Sequence, residues 1–289
     1  MRKPLRSHVL LARLRRMCSD ANEPIKKTMN YHFYALTDAG RARDNNEDSV
    51  AFDEHAQVAV LADGMGGYNA GEIASGMATA FIKSELSRWL IEAGPIAQPK
   101  EIRRAMEICV DNANLAIFNS ANANPAYAGM GTTLVLAVFK DGLLTVGHIG
   151  DSRCYRIRDR AMAQITKDHS LLQEQMDAGM ITPEQAAVSP IKNLVTRALG
   201  VEQSVMLEVN ELQVMPGDVY LMCSDGLSDM VDDEVIARIV GEGSGLSQIA
   251  ESLVAAANNN GGKDNISVLI VAVSEAVEKK GIFARLLGK

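Results

Sequence analysis

Five aspartates recur at the borders of short apolar runs: Asp48 in NNEDSV, Asp63 in LADGMGG, Asp151 in HIGDSR, Asp225 in CSDGLSD and Asp264 in GKDNIS. Each flanks a predicted strand, so a fold that buries those strands gathers carboxylates at strand ends. Asp264 stands at the start of its run, ISVLIVAV, whereas the others are read on turns. One Asp in a turn is ordinary, because Asp caps helices and closes Asx-turns. Five beside buried strands point to hard divalent cations, since Mg²⁺ and Mn²⁺ take an all-oxygen shell built from a few carboxylates and water. The glycines after Asp63 let the backbone bend sharply and approach an ion closely, and a carboxylate there can bridge two ions. Two such ions activate a shared water and neutralise a phosphoryl group. The expected class is a metallohydrolase.

The apolar patterning supplies the elements that carry these residues. Residues 31 to 37, 50 to 53 and 57 to 62 read as strands bounded by Asp, Gly and Asn turns. From Gly71 the period changes to three or four, with Ile73, Met77, Phe81, Ile82, Leu86, Trp89 and Leu90 as the stripe of an amphipathic helix ending near Gly94 and Pro95. A second helix is predicted from about Pro99 to Asn122, buried through Ile102, Met106, Cys109, Val110, Ala113, Ile117 and Phe118. Strands over 132 to 140, 143 to 150 and 152 to 159 follow, the first two joined by an Asp141-Gly142 turn. The segment from His169 to Leu199 reads as helical and loop-like, interrupted by Pro183 and Pro190. Strands near 205 to 210, 218 to 223 and 265 to 273, with helices over 232 to 240 and 246 to 259, complete the pattern. Hairpin strands with helices arriving in pairs predict an α+β sandwich carrying its helices on the outer faces.

Charge is uneven. Residues 1 to 28 hold eight Lys/Arg against Asp20 and Glu23, leaving 21 cations and 34 anions in the rest of a chain whose net charge is −7. An acidic body argues against a nucleic-acid grip. The basic start has no long apolar core, so it reads as an extension rather than a signal peptide, and MNYHFYALTDAG from Met29 reads as a natural first strand. No run approaches the roughly 18 apolar residues of a membrane span. The four cysteines, Cys18, Cys109, Cys154 and Cys223, lack metal or C-x-x-C spacing, which predicts free thiols in a reducing, cytoplasmic setting. The expected domains are the extension 1–28, a catalytic domain 29–274 and a short amphipathic tail 275–289 carrying Ile282, Phe283, Leu286 and Leu287 among cations.

The ordered set Arg43…Glu47-Asp48, Asp63-Gly64-Met65-Gly66-Gly67, Gly131-Thr132-Thr133, Gly150-Asp151-Ser152-Arg153, Asp168-His169-Ser170, Thr196-Arg197-Ala198-Leu199-Gly200, Ser224-Asp225-Gly226-Leu227 and Asp264-Asn265 resembles the bacterial form of the protein phosphatase 2C family. These are metal-dependent serine/threonine protein phosphatases, and the resemblance covers roughly residues 31 to 273. It implies two central antiparallel sheets sandwiched between pairs of helices. It further implies two Mn²⁺ or Mg²⁺ ions bridged by Asp63, with the Gly64 carbonyl, Asp225 and Asp264 completing their shells and Asp48 holding one ion mainly through water or directly. Asp151, sharing Asp225, corresponds to a weaker third metal site, and Arg43 to the arginine that binds phosphate. The implied partners are phosphorylated proteins and a bacterial Ser/Thr kinase whose action the enzyme opposes, and a monomer is expected.

Animal-type members carry a histidine two residues after the bridging aspartate, where this chain has Met65. A thioether cannot donate a proton, so the leaving oxygen is expected to take its proton from metal-bound water. His148 and His169 are the only histidines near the motifs and read either as catalytic or as satisfied structural residues. The segment from about His169 to Val195 corresponds in the resemblance to the family's flap, a lip beside the site that contacts the phosphopeptide, and its composition also describes an ordinary surface insertion. Two other readings use the same fold: a pseudo-enzyme that binds phosphoproteins, and a phosphomonoesterase for small molecules. The first is disfavoured by the full set of carboxylates with Arg43, while the second depends on the surface around the site.

Overall fold

The run Leu134–Lys140 is apolar without alternation because both of its faces are covered. Val135, Ala137 and Phe139 enter one apolar layer, and Leu134, Leu136 and Val138 enter another on the opposite side. In a computed structural model, residues 29–67, 70–187, 189 and 194–276 are described. The expected basic extension, Cys18 and nearly all of the expected tail lie outside the described residues.

The strands are β1 (Met29–Asp38), β2 (Asp48–Asp53), β3 (Val58–Met65), β4 (Gly131–Thr132), β5 (Leu134–Lys140), β6 (Leu143–Ile149), β7 (Arg153–Arg158), β8 (Ala161–Gln164), β9 (Glu208–Gln213), β10 (Val219–Cys223) and β11 (Ile266–Glu275). The helices are α1 (Ala70–Ala93), α2 (Pro99–Ala123), α3 (Leu171–Asp177), α4 (Pro183–Ala187), α5 (Asp225–Ser228), α6 (Asp233–Glu242) and α7 (Leu246–Asn259). One sheet runs β1-β11-β10-β7-β8 and the other β2-β3-β5-β6-β9, with β4 added to β3. The pairings β2–β3, β3–β5, β5–β6, β6–β9, β7–β8, β7–β10 and β10–β11 are all antiparallel.

Three apolar layers hold these elements together. Between the sheets, Phe139 sits 5.1 Å from Tyr31, 5.3 Å from Tyr220 and 6.0 Å from Phe33, ring centre to ring centre. Full burial of such a ring contributes about 1.5–3 kcal/mol. The second sheet's outer face packs on α1 and α2, and the first sheet's outer face packs on α6 and α7. The result is a helix–sheet–sheet–helix sandwich, the α+β arrangement expected.

Helix α2 starts where Gln98 and Glu101 form a capping box around Pro99, as a helix start should. Helix α1 buries Ile82, Leu86 and Leu90 and packs Ile73, Met77 and Trp89 against the same core, as the predicted stripe has it, but leaves Phe81 out and completes the row with alanines. Its buried row is Ala70, Ala74, Ala78, Ile82, Leu86 and Leu90, while Phe81 is 37% exposed. Small residues let the helix lie close against β2 and β3, where Ser75 Oγ donates to the Glu47 carbonyl at 2.6 Å and Thr79 Oγ1 lies 2.7 Å from Ser49 Oγ. That close approach decides the face, not side-chain size. Strand β9 begins at Glu208, later than the apolar residues near 205, because its start is set by pairing with β6 through His148↔Glu208. Strand β8 and helix α5 are additions the periodicity does not disclose.

Candidate metal centre

The site lies where the two sheets present strand ends to each other. Asp48 opens β2 and faces Asp63 directly across the β2–β3 ladder. Asp63 is therefore inside a strand, not on the turn expected for it, since β3 continues through Met65 by pairing with β4. Gly64 is required by space: a Cβ there would stand 2.2 Å from the Gly71 carbonyl oxygen and 2.5 Å from that of Glu47. From the other sheet, Asp225 starts α5 immediately after β10, and Asp264 precedes β11. Asp151 sits in the link between β6 and β7, which belong to different sheets.

A cleft of about 240 Å³ results, lined by Asp63, Asp151, Asp225, Asp264, Glu47 and Arg43, with Met65 and Val195 at its apolar edge. Asp48 is 8% exposed and does not line it, being held by Ser224 Oγ, which donates to its Oδ2 at 2.7 Å. Ser224 also accepts the Ser267 N–H at 3.0 Å, tying β2 of one sheet to β10 and β11 of the other. Arg43 is half exposed and places Nη2 2.8 Å from Asp264 Oδ2.

Several positioning residues stand in the motifs without a role that the sequence assigns. Asn265 accepts the Glu47 N–H at 2.8 Å and donates to the carbonyls of Ala39 (3.0 Å) and Asn45 (2.8 Å), stapling the loop that carries Arg43. Thr133 Oγ1 accepts the Asp63 N–H at 3.0 Å and lies 2.8 Å from Ser152 Oγ. Arg153 is bound by Asp168, with Nη2 to Oδ2 at 2.7 Å, and does not line the cleft. The spacing Asp225…Asp229, one helical turn, is the available signal for a further carboxylate that acts on this centre.

Burial and crowding leave the cluster short of positive charge. Burial pushes the Asp63 carboxyl well up, reinforced by Asp48, Asp225, Asp151 and Asp264. Burial likewise raises Asp225, with Asp151, Asp264 and Asp229 adding to it. Asp48 and Asp151 are each pushed up to about 6, burial again being the main cause. Among the described residues the buried Asp48 Oδ1 has no hydrogen-bond partner. An orphaned carboxylate oxygen beneath mutually repelling carboxylates, in an all-oxygen donor set, fits hard divalent cations.

The two histidines stack on each other outside the cleft lining, with ring centres 4.6 Å apart. His148 Nε2 donates to the Lys167 carbonyl at 2.7 Å. The Gly150 N–H can only donate, so His169 Nδ1 accepts it at 3.1 Å, and Nε2–H faces Glu208 Oε2 at 3.2 Å. His148, His169 and Glu208 bring ligand-type atoms within 4.8 Å of one another, yet this tautomer leaves His169 no lone pair for an ion. Burial lowers both imidazoles below their ordinary value.

A four-layer sandwich with a carboxylate cleft at its sheet ends, and an arginine at the mouth, defines a metal-dependent phosphoryl hydrolase. Comparison narrows this. Serine/threonine phosphatase stp of Listeria innocua is 36% identical over 243 residues, covering 83% of this chain and 95% of that protein. The crystal structure of the Mycobacterium tuberculosis serine/threonine phosphatase PstP/Ppp matches with a TM-score of 0.78 and 36% identity over 85% of this chain and 99% of that one. The catalytic domain of PstP in complex with two manganese ions matches with a TM-score of 0.76 and 36% identity, over 86% and 100% of the respective chains. The profile of the protein phosphatase 2C family matches residues 39–265, and the chain belongs to that family. Its reaction is the hydrolysis of phosphoserine and phosphothreonine on proteins, and it depends on Mn²⁺ or Mg²⁺.

The remaining observations are consistent with that assignment. Cys109, Cys154 and Cys223 are buried free thiols. Among the described residues no helix is long and apolar enough to cross a membrane.

Proposed function

We propose that Asp63, shared between two divalent ions, would hold them together with the Gly64 carbonyl, Asp225 and Asp264, with Asp48 holding one ion through water or directly and Asp151 with Asp225 serving a weaker third. The observation that carries this is the convergence of Asp63, Asp151, Asp225 and Asp264 from both sheets above Asp48, whose Oδ1 has no partner among the described residues. Mn²⁺ or Mg²⁺ held there supplies the Lewis acidity that activates water and offsets charge on the phosphoryl oxygens. Thr133 and Ser224 keep Asp63 and Asp48 in place through the hydrogen bonds described above.

Arg43 binds the phosphoryl group. Its guanidinium stands half exposed at the cleft mouth, and its fork suits bidentate capture of phosphate oxygens. Met65 forms an apolar edge and holds no proton, so the leaving alkoxide is not protonated from position 65. The lip over 169–195 is tied at its base, where Ser170 bridges Val195 and the Leu171 N–H donates to the Leu194 carbonyl at 2.9 Å. In our reading that lip contacts the phosphopeptide; residues 188 and 190–193 lie outside the described residues.

The catalytic domain is residues 29–274, acting as a cytoplasmic monomer that opposes a bacterial Ser/Thr kinase. The test is phosphate release from a phosphothreonine peptide. Release should require added Mn²⁺ and vanish in Asp225→Ala with the circular dichroism spectrum retained. Turnover in EDTA, or in Asp225→Ala, would overturn the assignment.

A further inference from the structure

A second hollow of about 250 Å³ opens beside the catalytic cleft, walled by Arg197, Val201, Glu202, Val205 and Met206. Val201 is 54% and Met206 72% exposed, and the neighbouring Leu194 is 53% exposed. Apolar side chains grouped in contact with water mark a place where something else packs.

The hollow adjoins the cleft. Val195 lines the cleft and the next residue, Thr196, lines the hollow. Met65, at the cleft edge, and Val201, in the hollow, both approach Gly131: a Cβ at Gly131 would stand 3.2 Å from Met65 Cε and 2.9 Å from Val201 Cγ2. Glycine at 131 therefore keeps a side chain out of the boundary between the two. The floor is held in advance of any ligand. Leu199 exchanges backbone hydrogen bonds with Thr132 at 2.8 and 3.1 Å. Asn114 on α2 accepts the Gly200 N–H at 2.7 Å and donates to the Glu202 carbonyl at 3.0 Å. A preformed hollow needs little ordering to bind.

Resting on the reading that a phosphoprotein enters the cleft, we propose that this hollow is a substrate subsite. It takes an apolar side chain flanking the phosphorylated residue, with Val201 and Met206 as specificity-determining residues. Arg197 and Glu202 bring opposite charges to the rim, so the apolar walls rather than a net charge set the preference.

The test uses the full chain with saturating Mn²⁺ and phosphothreonine peptides in which leucine, alanine or aspartate is walked along the flanking positions. Leucine at one position should be preferred about tenfold in kcat/KM. Val201→Asp and Met206→Glu should remove that preference through KM, leaving kcat and p-nitrophenyl phosphate turnover unchanged, while Met206→Leu should keep it. A flat profile, a leucine preference that survives both acidic variants, or an aspartate preference lost in Arg197→Ala would each overturn the subsite. Absence of Mn²⁺-dependent release from p-nitrophenyl phosphate by the unmodified chain would instead overturn the cleft reading beneath it.

Discussion

Replacing Asp48 by Asn should make the ion-free protein more stable while abolishing its metal-dependent activity. Asp48 is 8% exposed, with one oxygen held by Ser224 and the other without a partner. Burial lifts its carboxyl from the ordinary 3.8 to about 6. Every tenfold weakening of an acid corresponds to about 1.4 kcal/mol, so holding this group ionised in the fold costs about 3 kcal/mol near neutral pH. Because the folded-state value lies above the unfolded one, the cost is absent below the ordinary carboxylate range. It grows as pH rises through that range and is complete above about 6. Asn keeps an acceptor for Ser224 and removes the charge. In EDTA at about pH 7.5, Asp48→Asn should gain up to about 3 kcal/mol in urea unfolding, or roughly 6–12 °C in Tm for a domain of this size. At about pH 4 the gain should largely disappear. The buried imidazoles, which pull the other way, are common to both proteins and cancel in the comparison. Saturating Mn²⁺ should reverse the order, because the variant lacks a ligand. A variant no more stable than the parent at pH 7.5 in EDTA, or one whose advantage persists undiminished at pH 4, would refute the reasoning.

Arg43→Ala should lower kcat/KM for a phosphopeptide roughly 10- to 100-fold, the worth of about 1.5–3 kcal/mol of charge-assisted hydrogen bonding, with Arg43→Lys recovering part; steady-state kinetics decides. Thr133→Val preserves shape but strips the Asp63 N–H of its acceptor, so it should lose about 1–3 kcal/mol of stability by denaturant titration and reduce turnover with it. His169→Ala should lower Tm, through the lost stack on His148 and the freed Gly150 N–H, yet keep turnover with Mn²⁺. Abolished turnover with metal binding intact would show that the imidazole takes part in the chemistry.

Much of this protein is legible in one dimension. Helix α2 carries its own start signal in Gln98, Pro99 and Glu101, and its inward face follows from spacing alone. For α1 the pattern finds Ile82, Leu86 and Leu90 but includes Phe81 and misses the alanines of the buried row, because hydrophobicity weights Phe81 above Ala78. Asp63 looks like a turn residue because three of the next four residues are glycine, yet pairing with β4 keeps the chain extended through Met65. Gly64 reads as a bend, whereas its lack of a side chain serves close packing against Gly71 and Glu47. Ser224, Thr133 and Asn265 carry no local sign of their duties, since each acts on a residue far away in the chain.

By itself the sequence determined which side chains can do the chemistry: aspartates beside apolar strands, Arg43 ahead of Asp48, and at position 65 a methionine, which has no proton to give. Those are properties of residue type and short-range order. Only the tertiary structure decided how the five carboxylates differ. Asp48 is sealed beneath the cleft, Asp63 is crowded by four like charges, and Asp264 is turned toward Arg43. A carboxylate's energy depends on its solvent exposure and on charges within a few ångströms. Here those neighbours come from two sheets that meet only once the chain has folded.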